Sequence, residues 1–114
     1  MLFAAIALGA VAASPPQGGA TIVRIDTALD LGTLALVERG LSEAKERGDV
    51  LVVELDTPGG EVELMWRLAN LLERGAKDGV RTVAYIDTRA ESAGSLVALA
   101  CQRVYARSLA SIGS

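Results

Sequence analysis

Val50-Leu-Val-Val-Glu-Leu55 is a nearly continuous apolar run, and Asp56-Thr57-Pro58-Gly59-Gly60 follows it directly. This pattern predicts a buried strand of a parallel sheet that is covered by helices on both faces. In the loop after it, a proline restricts one φ angle and two glycines free the next two. Such a loop can present backbone N–H groups to a negative charge, although an ordinary strand-to-helix turn has the same composition.

Strand and helix signals alternate along the rest of the chain. Residues 21–25 form a short β-branched run, which predicts a first strand. Asp30 is placed to cap the helix that follows, and Gly48 is placed to end it. The apolar residues of this predicted helix recur at helical spacing and are Leu34, Val37, Leu41 and Ala44.

A second helix is predicted after the glycine loop, ending near Gly75 or Gly79. Its apolar stripe indicates a face that packs against the sheet. We interpret Trp66, which belongs to this stripe, as a core residue or a subunit contact rather than a ligand platform. The stripe consists of Val62, Met65, Trp66, Ala69 and Leu72.

The third unit comprises a predicted strand at residues 82–86, a helix at 93–101 and a short strand at 103–106. Repeated β-α units predict an α/β fold with a parallel sheet and right-handed crossovers. In such sheets the functional site lies outside the carboxyl ends of the strands. Residues 108–114 carry no signal for a closing element, so we expect a domain that is truncated at its C-terminus.

A serine lies where the third predicted strand turns into its helix, in Arg89-Ala-Glu-Ser92-Ala-Gly-Ser95. Such a turn exposes the hydroxyl, and the first N–H groups of the helix face any oxyanion that forms beside it. An alternative interpretation is that Ser92 only caps the helix. The loop at 56–60 and this turn follow successive strands, so we expect them to meet at the end of the sheet where the carboxyl ends of the strands lie. Together they offer a nucleophile and two N–H donors, as an oxyanion hole requires.

Composition limits the classes of function that remain. The chain has 114 residues, enough for one domain, and 51% of them are apolar, which favours a packed core. Aromatic residues make up only 4% and there is no basic patch, which argues against nucleic-acid binding. The absence of histidine excludes a Ser-His-Asp triad and a histidine-ligated metal within this chain, and we expect no metal site. Cys101 has no partner for an internal disulfide and is predicted to be a buried thiol.

The N-terminus differs from the rest of the chain. Residues 2–13 form an uncharged apolar run that is too short to span a bilayer but suits the core of a signal peptide. Small residues at 10–13 offer a cleavage site, although no lysine or arginine precedes the run. We therefore expect residues 1–20 to be a leader and spacer, and residues 21–114 to be the domain. A buried helix or part of a longer membrane anchor are the alternatives.

Three motifs resemble those of the NfeD family, which are membrane-associated, ClpP-class serine peptidases related to signal peptide peptidase A. They are Leu55-Asp-Thr-Pro-Gly-Gly60, Glu91-Ser-Ala-Gly94 and Ser111-Ile-Gly113. The resemblance implies a ClpP/crotonase-like fold and a serine–lysine dyad without a cofactor. Ser92 corresponds to the nucleophile, and the N–H of Gly59 or Gly60 together with that of Ala93 corresponds to the oxyanion hole. The resemblance also implies a homo-oligomer on the extracytoplasmic side or at the membrane, which cleaves hydrophobic segments of stomatin-like membrane proteins.

Two features depart from the family pattern. Glu91 stands where a small residue is common, and we expect its carboxylate to point away from the oxyanion. The general-base lysine of the family lies further along the chain than Ser114, and Lys45 and Lys77 are placed far from the carboxyl ends of the strands. A serine without a base is a weak nucleophile, so these 114 residues alone are expected to be inactive.

Other interpretations of the same residues remain open. The domain could be a non-catalytic scaffold or assembly module, in which Ser92 is a cap and the glycine loop is structural. A crotonase-type acyl-thioester enzyme also uses paired N–H groups, but that chemistry needs no serine at the turn. In each case Asp56 and Asp87 are expected to cap or brace the two loops.

Overall fold

The computed structural model describes residues 18–113 of the chain. Strands and helices alternate as the sequence predicts. In order, the elements are β1 (Ala20–Ile25), α1 (Leu31–Arg47), β2 (Val50–Thr57), α2 (Val62–Lys77), β3 (Thr82–Glu91), α3 (Ala93–Leu99), β4 (Arg103–Ala106) and β5 (Ser111–Gly113).

Helix α1 begins and ends where its sequence signals indicate. The Oδ1 atom of Asp30 accepts a 2.8 Å hydrogen bond from the N–H of Thr33, and Thr33 Oγ1 accepts one of 2.6 Å from the N–H of Asp30. This reciprocal pair is a capping box that satisfies two donors at the helix start. Gly48 ends the helix in the left-handed conformation, with φ at 71°.

All strand pairs are parallel, and the sheet order is β1-β2-β3-β4. Strand β3 is long enough to pair with two short strands along one edge. Its first half pairs with β4, where Val83 lies opposite Arg103, and its second half pairs with β5, where Ala90 lies opposite Ile112. The end of β3 is therefore hydrogen-bonded on both sides, by β2 and by β5.

The helices cover one face of the sheet, which corrects the expectation that both faces are covered. Strand β1 alternates buried and exposed residues, with Ile25 buried and Ile22 61% exposed. Ile22, Val52 and Val83 share a row on the face without helices. The reason is topological, because right-handed crossovers between strands in sequential order place every helix on the same side. A single apolar strand such as β2 does not reveal in which order the strands will pair.

Two predicted loops are strand ends. Strand β2 continues through Thr57 and β3 through Glu91, whereas the sequence predicted ends at 55 and 86. The polar residues there lack the apolar pattern of a strand, but their backbones still pair with neighbouring strands. The sequence predicted no closing element in residues 108–114, and this was wrong at residues 111–113, since these form β5. Helix α3 ends at Leu99, two residues before the predicted end.

The apolar stripe predicted for α2 is only partly correct. Met65 and Leu72 are buried, but Val62 and Trp66 are largely exposed, so Trp66 is not a core residue. Leu64 and Leu68 lie in the core instead. The buried face of α2 is rotated because this helix also packs against α1 and α3.

The prediction of a leader concerns mainly residues 1–17, which lie outside the described part of the chain. Within residues 18–113, none of the helices has both the length and the apolar character needed to cross a bilayer.

Candidate active site

Ser92 lies between the last residue of β3 and the first residue of α3, and it is exposed. Its backbone has φ at 52° and ψ at −126°, a conformation that non-glycine residues rarely adopt. Such a conformation costs about 1–3 kcal/mol and persists only where the surroundings enforce it. Ser92 occupies the N-cap position of α3, but its side chain makes no capping hydrogen bond, so the hydroxyl does not cap the helix.

Backbone contacts on both sides hold this turn in place. The N–H of Ser92 donates a 2.7 Å hydrogen bond to the carbonyl oxygen of Gly113 in β5. The carbonyl oxygen of Ser92 accepts hydrogen bonds from the N–H of Ser95 at 3.0 Å and from Ser95 Oγ at 2.7 Å. Within residues 18–113 the hydroxyl of Ser92 itself makes no hydrogen bond; it is exposed and has no protein partner.

The glycine loop lies directly against the serine turn. A Cβ atom on Gly59 would lie 2.9 Å from both the carbonyl oxygen of Glu91 and the Cβ of Ser92, and 3.1 Å from the nitrogen of Ala93. Gly59 also has φ at 107°, which side chains disfavour. Only glycine therefore allows the two motifs, 33 positions apart in sequence numbering, to approach so closely.

The two peptide groups that flank Gly59 are both engaged. The N–H of Gly59 donates a 3.1 Å hydrogen bond to Thr57 Oγ1, and the carbonyl oxygen of Gly59 accepts one of 2.8 Å from the N–H of Leu29. Because a trans peptide group is planar, the N–H of Gly60 points opposite to this carbonyl, away from Leu29. Within the described residues, the N–H groups of Gly60 and Ala93 donate to no protein acceptor.

Charged residues surround the site without entering it. Arg89 Nε lies 3.7 Å from Asp56 Oδ1, and Arg89 Nη1 lies 3.8 Å from Glu91 Oε1. Asp56 therefore braces β2 against β3, as the sequence predicted. The side chain of Glu91 is 39% exposed and its carboxylate faces Arg89, which fits the expected outward orientation.

Asp87 has a different role from the one expected. Its carboxylate lies 3.1 Å from Arg107 Nη2 and 3.4 Å from Arg24 Nη2, on the face of the sheet without helices. Arg24 Nη1 also contacts Glu54 Oε1 at 2.8 Å. The hydrogen bonds that the Arg24 guanidinium donates to Glu54 and then to Asp87 raise its pKa. Asp87 thus links β3 to β1 and to Arg107, which follows β4, rather than to the serine turn.

Lys45 and Lys77, the two lysines of the chain, lie at the opposite end of the sheet from Ser92. Lys45 is near the end of α1, just before β2 begins, and Lys77 is the last residue of α2, just before β3 begins. Ser92 follows the carboxyl end of β3. Neither lysine can reach it, and no three His, Cys, Asp or Glu side chains within residues 18–113 converge to hold a metal ion.

Cys101 is buried, as predicted, and is remote from this chemistry. Desolvation by burial raises the pKa of its thiol to about 12. The thiolate is the reactive form of cysteine, so Cys101 is an inert packing residue in the folded protein.

Comparison with known proteins gives a family, a curated relative and several solved structures. The family model for the NfeD1b N-terminal domain matches residues 20–114. The membrane protein NfeD1b of Bacillus subtilis (strain 168) is 27% identical over 85 residues, which cover 74% of this chain and 19% of that protein. ClpP1 of Listeria monocytogenes, solved as a variant, has a TM-score of 0.57 at 17% identity and covers 71% of this chain and 46% of its own.

Two solved variants of the 1510-N membrane-bound stomatin-specific protease have a TM-score of 0.78 each. The first is 19% identical, and the match covers 87% of this chain and 48% of the solved chain. The second, in complex with a substrate peptide, is 22% identical, and the match covers 85% of this chain and 45% of the solved chain. These likenesses confirm the ClpP/crotonase-like fold. The chain spans about half the length of these solved chains and about a fifth of the Bacillus protein. Since the family model matches nearly all of the described residues, this chain belongs to the NfeD1b N-terminal domain family.

Proposed function

We propose that this chain carries the nucleophile and the oxyanion hole of an NfeD-type serine endopeptidase. The observation that carries the proposal is the environment of Ser92. An exposed hydroxyl on a strained strand-to-helix turn lies beside a glycine loop, and the N–H groups of Gly60 and Ala93 have no protein acceptor within the described residues. Few reactions other than acyl transfer need this combination of a hydroxyl and two free N–H groups.

In the proposed reaction, Ser92 Oγ forms a bond to the carbonyl carbon of a peptide as its proton passes to a general base. The carbonyl electrons move to the oxygen, where the N–H groups of Ala93 and Gly60 stabilise the negative charge. We assign Gly60 rather than Gly59 because the N–H of Gly59 is already bonded to Thr57 Oγ1. Collapse of the intermediate expels the amine, which takes up the proton, and water then hydrolyses the acyl group on Ser92.

The general base is a lysine that these 114 residues do not supply. Lys45 and Lys77 lie at the wrong end of the sheet, and the chain has no histidine. We propose that the lysine comes from sequence beyond Ser114 or from another subunit of a homo-oligomer. A serine hydroxyl needs such a base to become a competent nucleophile, so the 114-residue chain alone is expected to be inactive.

The proposed substrate is a polypeptide, in particular a hydrophobic segment of a stomatin-like membrane protein. One relative supports this proposal: the solved 1510-N protein is described as a membrane-bound stomatin-specific protease, and one of its structures holds a substrate peptide. The Bacillus relative is named a membrane protein. We accordingly propose an exported or membrane-associated location, with residues 1–20 as the leader and residues 21–114 as part of the peptidase domain.

A fluorophosphonate probe, which reacts with activated serines, tests the proposal. It would be applied to the 114-residue chain and to the same chain extended through its natural downstream sequence. We expect labelling of the extended protein only, with loss of labelling in Ser92→Ala. Ser42→Ala, an exposed serine on α1, is the matched control and should be labelled like the wild type.

The non-catalytic scaffold is the rival interpretation, and the same experiment separates the two. A folded, extended protein that the probe does not label would refute the peptidase assignment. In that case the contact between the glycine loop and the serine turn would be structural only.

A further inference from the structure

Thr57 belongs to the first motif, and its side chain lies between Gly59 and the first turn of α3. It is the last residue of β2, and its side chain is completely buried. Its Oγ1 accepts a hydrogen bond from the N–H of Gly59 at 3.1 Å and donates one of 2.7 Å to the carbonyl oxygen of Thr27. The hydroxyl thus donates its one hydrogen and accepts one hydrogen bond, which together determine its orientation.

The methyl group of the same side chain contacts the serine helix. A Cβ atom on Gly94 would lie 2.6 Å from Thr57 Cγ2, so the methyl fills the space that a side chain at 94 would need. The hydroxyl of Thr57 therefore holds the glycine loop, and its methyl packs against the first turn of α3. One side chain thus contacts both the glycines of the loop and the helix that follows Ser92.

The hydroxyl also decides which N–H groups are free. Glycine permits many backbone conformations, and Gly59-Gly60 would otherwise have several. The bond to Thr57 Oγ1 fixes the peptide group before Gly59, and the bond from the N–H of Leu29 fixes the one after it. With both fixed, the N–H of Gly60 is left pointing away from Leu29 and free of protein acceptors.

We propose that Thr57 is a positioning residue for the reaction of Ser92. Its hydroxyl holds the Gly59 peptide group so that the N–H of Gly60, rather than that of Gly59, serves the oxyanion. This inference rests on the proposed peptidase function, but its structural half, the control of the loop by the hydroxyl, is independent of activity.

A matched pair of substitutions in the extended protein tests the catalytic half. Thr57→Val keeps the methyl contact and removes the hydroxyl, whereas Thr57→Ser keeps the hydroxyl and removes the methyl. Displacing one oxyanion donor lowers kcat by roughly 100-fold in comparable sites. We expect Thr57→Val to lower kcat on a peptide substrate by that order with KM unchanged, and Thr57→Ser to retain most of the wild-type kcat. Equal kcat values for the valine variant and the wild type would overturn the proposal.

Amide hydrogen exchange measured by NMR tests the structural half. In the wild type the Gly59 amide should be protected, while the Gly60 and Ala93 amides should exchange freely. In Thr57→Val the Gly59 amide should exchange about tenfold faster, as the loss of one hydrogen bond predicts, and Thr57→Ser should restore protection.

The two measurements also separate the inference from the proposed function. If the wild type is inactive but Gly59 behaves as described, the peptidase function fails and the control of the loop by Thr57 stands. An unprotected Gly59 amide in the wild type would refute the role of Thr57 even if Thr57→Val failed to fold. Protection of Gly60 in the wild type would do the same, because its N–H would then not be free.

Discussion

The N–H of Ser92 is bonded to the carbonyl oxygen of Gly113 at 2.7 Å, so the last strand of the described chain holds the turn that bears the candidate nucleophile. Gly113 has φ at 120° and open space around it. Gly113→Ala should therefore cost about 1 kcal/mol of stability through backbone strain alone, and it should also slow fluorophosphonate labelling because the turn loosens. The measurements are urea unfolding and the labelling rate of the extended protein.

Gly79→Ala is the control for this experiment. Gly79 has φ at 98° and open space around it, but it lies beyond the end of α2, remote from Ser92. The Gly79→Ala variant should lose about as much stability as Gly113→Ala, again about 1 kcal/mol, while its labelling rate stays at the wild-type value. Equal labelling rates for the two variants would show that β5 does not control the turn.

The strain at Ser92 should be measurable as a difference between two inactive variants. Ser92→Ala keeps a Cβ atom at φ 52°, whereas Ser92→Gly removes it. Relief of strain exceeds the extra chain entropy of glycine, so Ser92→Gly should be more stable than Ser92→Ala by about 1 kcal/mol. Thermal and urea unfolding would check this, and a less stable glycine variant would argue that the turn is relaxed.

Gly40 should resist substitution although it lies inside a helix. Alanine normally stabilises a helix interior relative to glycine by about 1 kcal/mol. Here a Cβ atom would lie 2.6 Å from Val23 Cγ1 and 3.1 Å from Leu51 Cδ1, so Gly40→Ala should instead destabilise by about 1–3 kcal/mol. In a double-mutant cycle measured by urea unfolding, Val23→Ala should recover part of the loss. Purely additive effects would contradict the predicted clash.

Cys101 should react with thiol reagents only when the protein unfolds. Burial raises the pKa of the thiol to about 12, so almost no thiolate exists at pH 8 in the folded state. The same shift predicts a stability contribution that is complete below the unfolded pKa, about 8.5, and is lost as the pH rises toward 12. Ellman's reagent with and without urea measures the first effect, and unfolding curves of Cys101→Ala between pH 8 and 11 measure the second. Rapid labelling of the native protein would contradict burial.

The cap at Asp30 should make stability depend on acidity. The hydrogen bond from the N–H of Thr33, and then that from its hydroxyl, lower the pKa of the Asp30 carboxyl. The stability that the ionised Asp30 carboxylate contributes is present above the pKa of the unfolded state, about 3.9. It is lost as the pH falls through the lower pKa of the folded state. Asp30→Asn keeps a cap acceptor without titrating, so its melting temperature should fall less steeply with acid than that of the wild type. Parallel acid profiles for the two proteins would refute this effect.

Local signals in the sequence were sufficient for the elements that depend on local chemistry. The cap at Asp30 and the left-handed Gly48 delimit α1, because caps and helix ends are satisfied by residues adjacent in the chain. The apolar runs predicted β1 and the starts of β2 and β3. The two candidate site motifs were found from residue type and from their position after successive strands, which requires only a parallel sheet.

The tertiary structure decided what depends on distant neighbours. Residues 111–113 form a strand because β3 offers a free edge to them, and Trp66 is exposed because the face of α2 that packs against α1 and α3 is a different one. The freedom of the Gly60 N–H follows from partners at Thr57 and Leu29 that no local pattern reveals. The sequence by itself determined the repeated β-α units and the two motifs, since periodicity and turn residues act locally. Only the tertiary structure decided which face of the sheet stays uncovered, which N–H group is free and what holds Ser92 in its strained conformation. These features depend on hydrogen bonds and close packing between remote segments, and such contacts exist only in the folded chain.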